Sequence, residues 1–153
     1  TICTPRNPNC SACPLSMECN AYKAKTQSTV PKPRRSPSRK RLHHYAVVLT
    51  CNGEIAFEKR DEHGLWAGMW QVPTCESTKK LKKVQVANEL NIEGELSYSG
   101  TFEHMLTHRV ISFSVFRCEV AKRERYSWYK SDELEVLPLA SAQRKVLAVH
   151  CSE

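Results

Sequence analysis

Residues 44–60 read HYAVVLTCNGEIAFEKR: two β-rich runs, 44–51 and 54–60, joined by Asn52-Gly53. Both turn residues tolerate positive φ, which makes this pair the strongest short signal for a two-residue hairpin. A β-hairpin therefore opens a domain at about residue 44. Downstream, Ser77 or Thr78 can cap a helix to about Leu90, with Leu81, Val84, Ala87 and Leu90 at i, i+3 spacing on one face and Gly94 shortly after its end. Residues 98–106 and 109–120 read as further strands. The second alternates at Ile111, Phe113 and Val115 and changes phase at Phe116, which predicts a bulge. Residues 126–130 supply a last strand, and Ser141 can cap a closing helix from Ala142 to about His150, with Val146, Leu147 and Val149 for packing. The pattern predicts an α+β fold: a mixed β-sheet with two main helices.

Between hairpin and helix lies GLWAGMWQVP, residues 64–73, read as an apolar strand whose two tryptophans anchor the core. Lys79, Lys80, Lys82 and Lys83 sit near the N-terminus of the expected helix, where the dipole disfavours cations. That mismatch hints at phosphate contact, beside the plainer reading of a solvated face.

The chain of 153 residues carries 23 Lys plus Arg against 16 Asp plus Glu, a net charge of +7. The excess is local. Eight basic and no acidic residues lie within 20–45, whereas 46–153 carries 14 basic and 15 acidic ones. Pro31, Pro33 and Pro37 with Ser and Thr make residues 23–43 read as a semi-extended basic linker. Its Arg34, Arg35, Arg39, Lys40 and Arg41 are candidates for phosphate contact. No apolar run approaches the ~18 residues of a membrane span, so no membrane role is expected. The first residues show neither an initiator Met nor a signal peptide, and the chain reads as a piece of a longer protein.

Four of eight cysteines, Cys3, Cys10, Cys13 and Cys19, fall within the first 19 residues as Cys-x6-Cys-x2-Cys-x5-Cys. A loop holding Pro5, Pro8 and Pro14 lets all four thiolates point inward. An iron–sulfur cluster or zinc would accept such a set, and the single Cys10-x-x-Cys13 knuckle flanked by lone cysteines favours the cluster. Cys51, Cys75, Cys118 and Cys151 are scattered and read as unliganded, Cys51 and Cys118 as buried, inert thiols in apolar alternating runs.

This cysteine spacing, followed by Asn20-Ala21-Tyr22, resembles the [4Fe-4S] loop that ends the catalytic domain of endonuclease III-like and MutY-like DNA glycosylases. Residues 64–73 resemble the GLWAGMWEFP signature of the C-terminal domain of MutY-type adenine glycosylases, a relative of Nudix hydrolases. The resemblance covers nearly the whole chain and implies three parts: the cluster loop at 1–22, the linker at 23–43 and a Nudix-like 8-oxoguanine recognition domain at 44–153. It implies a [4Fe-4S] cofactor and, as partner, double-stranded DNA containing A:8-oxoG or A:G mispairs, bound by a monomer. The place of action follows the genome: the bacterial cytoplasm and nucleoid, or the eukaryotic nucleus or mitochondrion. Residues 102–108, FEHMLTH, are similar to the family's H-x-F-S-H motif at His104, Leu106, Thr107 and His108. The family uses that loop to recognise 8-oxoguanine, and here Leu106 replaces the Phe and Thr107 the Ser.

The family's catalytic Glu and Asp sit in a helical domain before the cluster, so the chain alone is expected to cleave nothing. The carboxylate-rich metal helix of Nudix enzymes is reduced here to Glu89, and its Gly pair is absent from Pro73-Thr74-Cys75-Glu76. A pyrophosphohydrolase of oxidised nucleotides would need those carboxylates. A zinc-dependent DNA-binding module is the other alternative.

Overall fold

The computed structural model describes residues 1–4, 6–30, 32 and 39–151. Two compact units divide the chain, Thr1–Pro37 and Ser38–Glu153. In the first, short turns lead to a single helical turn, α1 (Asn20–Lys23).

The second unit contains β1 (Lys40–Cys51), β2 (Glu54–Lys59), β3 (Trp70–Gln71), β4 (Thr74–Ser77), α2 (Lys83–Glu89), β5 (Ser97–Met105), β6 (Arg109–Glu119), β7 (Ser127–Lys130) and α3 (Ser141–His150). Strands run β3-β2-β1-β6-β5, with β4 paired to β1 and β7 to β2. The β1–β2 hairpin is as expected, Asn52 and Gly53 at φ 49° and 79° with Cys51 opposite Glu54. Antiparallel pairs surround one long parallel pair, β1 with β6, from Lys40↔Arg109 to Thr50↔Glu119. The sheet is therefore mixed, and the α+β expectation holds.

Helices cover both faces. On the first face Ala46, Val48, Phe57, Phe113, Val115 and Val146 of α3 form one core. On the second, Tyr45, Val47, Leu49 and Phe116 meet Val86 and Leu90 around α2. This explains the phase change at Phe116. β6 runs in unbroken register with β1; Val115 fills one core and Phe116 the other. The bulge lies on the partner strand instead, where β5 skips a residue between Tyr98 and Gly100.

Four other expectations change. β1 begins at Lys40, so residues 40–43, read as the linker's end, are strand. Residues 74–77 form β4 along β1, with Ser77 opposite His43. That pairing keeps the chain extended past Ser77 and delays α2 to Lys83, so neither Ser77 nor Thr78 caps it. Its buried face is Val86 and Leu90, while Val84 is 66% exposed. In α3, Ser141 is the first helical residue and Ala140 precedes it without a side-chain cap. Residues 64–69 form a turn, with Gly64, Trp66 and Gly68 at positive φ, and only Trp70–Gln71 is strand. The anchoring role of Trp66 and Trp70 stands, since both pack against the first core.

Candidate nucleic-acid interface

The β5–β6 hairpin turns at Leu106, Thr107 and His108, closed by the Arg109 carbonyl accepting from the Leu106 N–H at 2.9 Å. Alternation decides which side chains face out. Phe102, His104 and Leu106 turn toward the first core, where Phe102 stacks on Phe113 at 4.9 Å and Leu106 packs half-buried. His104 meets Trp66 edge-on at 5.7 Å. Its burial, and then nearby Lys145, lower its pKa. Thr107 and His108 are exposed at the tip. The exposed apolar residue there is Met105, 70% exposed, which the sequence reading passed over. Its place between the inward residues 104 and 106 was the available signal.

The start of β1 is fastened beside this turn by the Lys40 N–H, which donates to the His108 carbonyl at 3.2 Å. Arg39, Lys40 and Arg41 are thereby brought to the same end of the sheet as Thr107 and His108. The Arg39 guanidinium lies 3.6 Å from the Met105 sulfur, and Arg41 pairs with Glu103. Arg34 and Arg35 lie outside the described residues.

A second polar site is a cleft of about 350 Å³ that includes Glu58, Arg60, His63, Gln71 and Glu76 in its lining. Arg60 donates to Glu76 at 2.7 Å and to Gln71, and Gln71 donates to Glu58 at 2.9 Å. Glu76, the carboxylate nearest the missing Gly pair, is thus held by an arginine.

In the first unit Cys3, Cys10, Cys13 and Cys19 line one small cavity with Ile2, Pro8 and Tyr22, and all four are free thiols. Among the described residues no three His, Cys, Asp or Glu side chains converge closely enough for a single ion. Four thiols set around a cavity wall suit a cluster, whose ligands bind separate corners. Of the remaining cysteines Cys118 is buried as expected, Cys51 is half-buried rather than buried, Cys75 is half-buried and Cys151 is exposed. Burial, and then Glu89, push the Cys75 thiol up to about 11, so it stays protonated.

Residues 44–149 match the family model of the NUDIX domain. The chain belongs to the NUDIX domain family. Residues 3–19, ahead of the NUDIX domain, match the iron-sulfur binding domain of endonuclease III, which supports a [4Fe-4S] cluster on the four cysteines. The whole chain is similar to the adenine DNA glycosylase of Buchnera aphidicola subsp. Schizaphis graminum, 24% identical over 155 residues that cover 97% of this chain and 45% of that protein. The adenine DNA glycosylase of Arabidopsis thaliana is likewise 24% identical, over 95% of this chain and 30% of that one. The chain therefore spans less than half the length of these relatives. Among solved structures, the NUDIX domain resembles the C-terminal domain of mouse MUTYH, solved with human PCNA, at TM-score 0.60 and 16% identity over 71% of this chain and 86% of that one. A MutT protein from Methanosarcina mazei Go1 gives TM-score 0.61 and 20% identity over 72% and 93%. These two likenesses concern the fold. The MutY resemblance read from the cysteine spacing and the tryptophan-rich stretch is borne out by the sequence relatives.

Proposed function

We propose that this chain is the lesion-recognition region of an adenine DNA glycosylase, one that removes adenine mispaired with 8-oxoguanine or guanine during base-excision repair. Its role is to bind the 8-oxoguanine strand while a catalytic domain outside the chain acts on the adenine. The observation that carries the reading is the exposed pair Thr107 and His108 at a hairpin tip flanked by Arg39, Lys40 and Arg41.

The chemistry is specific. Guanine presents N7 to the major groove as an acceptor, whereas the 8-oxo form carries a hydrogen on N7 and a carbonyl at C8. A hydroxyl both accepts and donates. Thr107 can therefore accept from N7–H or donate to the C8 carbonyl, contacts a plain guanine does not offer together. His108 lies beside it for the lesion or a neighbouring phosphate. The basic residues of β1 supply the sequence-independent grip, and Arg41 exchanges Glu103 for a phosphate when DNA arrives. Leu106 and His104 support the turn from within. Cys3, Cys10, Cys13 and Cys19 would hold the [4Fe-4S] cluster, which supplies a cross-link to the first unit. Hydrolysis of nucleotides is not part of this reading, because Glu76 is neutralised by Arg60 and Glu89 has no second carboxylate in the residues expected to bind metal. DNA as ligand places the protein with the genome, in a nucleoid, nucleus or mitochondrion.

The test compares binding of this chain to duplexes carrying A:8-oxoG and A:G. Wild type should prefer the lesion, and Thr107→Ala should lose about 1 kcal/mol of that preference, roughly fivefold. Undiminished discrimination by Thr107→Ala would sink the assignment of the hydroxyl.

A further inference from the structure

We propose that the open part of the sheet's second face, bordered by Lys79, Lys80 and Lys82, is a track for a phosphodiester backbone leading away from the hairpin tip. The inference rests on the reading of that tip as a nucleic-acid interface and extends it to a surface the reading leaves unused.

Strand register places the pieces. His43 stands opposite Ser77 on β4 and opposite Ser112 on β6, and Ser112 stands opposite Glu103 on β5. One step nearer the tip, Arg41 is opposite Val110, which is opposite Met105. Paired residues share a face, so Ser77, His43, Ser112, Arg41 and Glu103 all project from the side that α2 covers further along. There the Tyr45 hydroxyl accepts from the Leu81 N–H at 2.6 Å. This bond pins the segment of lysines that follows β4 against the sheet, next to the row holding His43.

Lys79, Lys80, Lys82 and Lys83 are all exposed. Lys83 has Glu95 at 3.4 Å, but among the described residues no carboxylate pairs with Lys79, Lys80 or Lys82. Lys79, Lys80 and Lys82 lie close along the non-helical segment ahead of α2, where like charges repel. The fold therefore brings three cations without a paired carboxylate to one edge of this face. Glu103, already paired with Arg41, is the acidic residue in the rows named above, and Glu76 of β4 faces the opposite side toward His44. The floor between the lysines and the tip carries hydroxyl, imidazole and guanidinium groups, which contact phosphates, beside Val110 and the exposed Met105. Continuity through Arg39 and Arg41 makes the same nucleic acid the occupant.

The experiment measures affinity of this chain for an A:8-oxoG duplex and for an undamaged duplex across a salt series. Each phosphate contact contributes about 0.9 to the slope of log K against log[salt]. The Lys79→Ala/Lys80→Ala/Lys82→Ala variant should lower the slope by about 2 to 3 and weaken binding about tenfold or more, equally on both duplexes. The corresponding Lys→Arg variant should keep the slope, and Lys59→Ala/Lys130→Ala, on the β2 side of the sheet, should match wild type. The proposal is overturned if the triple alanine variant keeps its slope and affinity, if arginine fails to preserve them, if an acidic peptide displaces DNA at lower concentration than competitor duplex, or if the wild-type chain binds neither duplex. Absence of any lesion preference, with the slope change intact, would remove the lesion reading and leave the track standing.

Discussion

His44 shows what a single buried side chain can impose. It is 1% exposed, wedged against the rings of Phe113 and Trp66 at 5.0 and 6.1 Å, and neither ring nitrogen has a hydrogen-bond partner. Glu76 approaches to 3.6 Å, yet burial outweighs it and lowers the His44 pKa, with Arg60 pushing the same way. His104, across Trp66 and near Lys145, is lowered too. The sign follows directly. Above the unfolded value of about 6.5 both states are neutral and stability is full. As pH falls below it, the unfolded chain takes up protons that the folded one refuses, so stability declines until pH passes the folded values. Urea midpoints should fall between pH 7.5 and 5, and His44→Phe should flatten much of that fall. A midpoint that holds steady or rises on acidification in the wild type would contradict this account. The sequence showed His44 as a strand residue only, because its partner Glu76 arrives on β4, a strand that no local pattern announced.

At the scale of elements, α3 is locked to the tryptophan-rich stretch by one buried contact. Gln143, 2% exposed, accepts from the Val72 N–H through its side-chain oxygen at 3.3 Å. Gln143→Leu keeps the volume and strands that N–H in the core, so unfolding free energy should drop by about 1 to 3 kcal/mol; a loss under a few tenths of a kcal/mol would mean water or a backbone shift replaces the bond. The hairpin at Asn52-Gly53, the long strands β5 and β6 and the closing helix were legible because each carries its own periodicity or turn chemistry. Residues 64–69 were misread as strand although Gly64 and Gly68 were visible, since Trp66 at φ 56° adopts a backbone that bulky residues rarely take. β4 and the late start of α2 were hidden for another reason: only β1, some thirty residues earlier, tells residues 74–77 to stay extended. The tip residues Thr107 and His108 came from motif resemblance, while the inward turn of Leu106 and the lysine-bordered face needed the register of four strands.

At the scale of the molecule, each of the two units has its own internal source of stability. The second has two apolar cores, one on each side of a sheet. The first has no buried residue among those described, and Leu15 and Met17 are 68% and 79% exposed. A segment this short cannot bury enough surface to fix itself, and small folds of this kind depend on metal. Its remaining order consists of isolated turns such as Asn9 N–H to Ile2 carbonyl at 2.9 Å and Lys23 N–H to Cys19 carbonyl at 2.9 Å. Ile2, Asn9 and Cys19, which these turns tie down, line the same cavity as the other three cysteines. Bonds from the thiolates to a [4Fe-4S] cluster would therefore supply nearly all the stability of this unit. Hydrogen exchange makes the expectation measurable: amides between Cys3 and Lys23 should be protected when the iron–sulfur absorbance is present and exchange at nearly unfolded rates once a chelator has bleached it. All three tryptophans, Trp66, Trp70 and Trp128, belong to the second unit, so their fluorescence reports in the same sample whether that fold persists. Slow exchange of these amides after complete loss of iron would show that the turns hold without the cluster, and the metal would then have to be a passenger of a preformed loop.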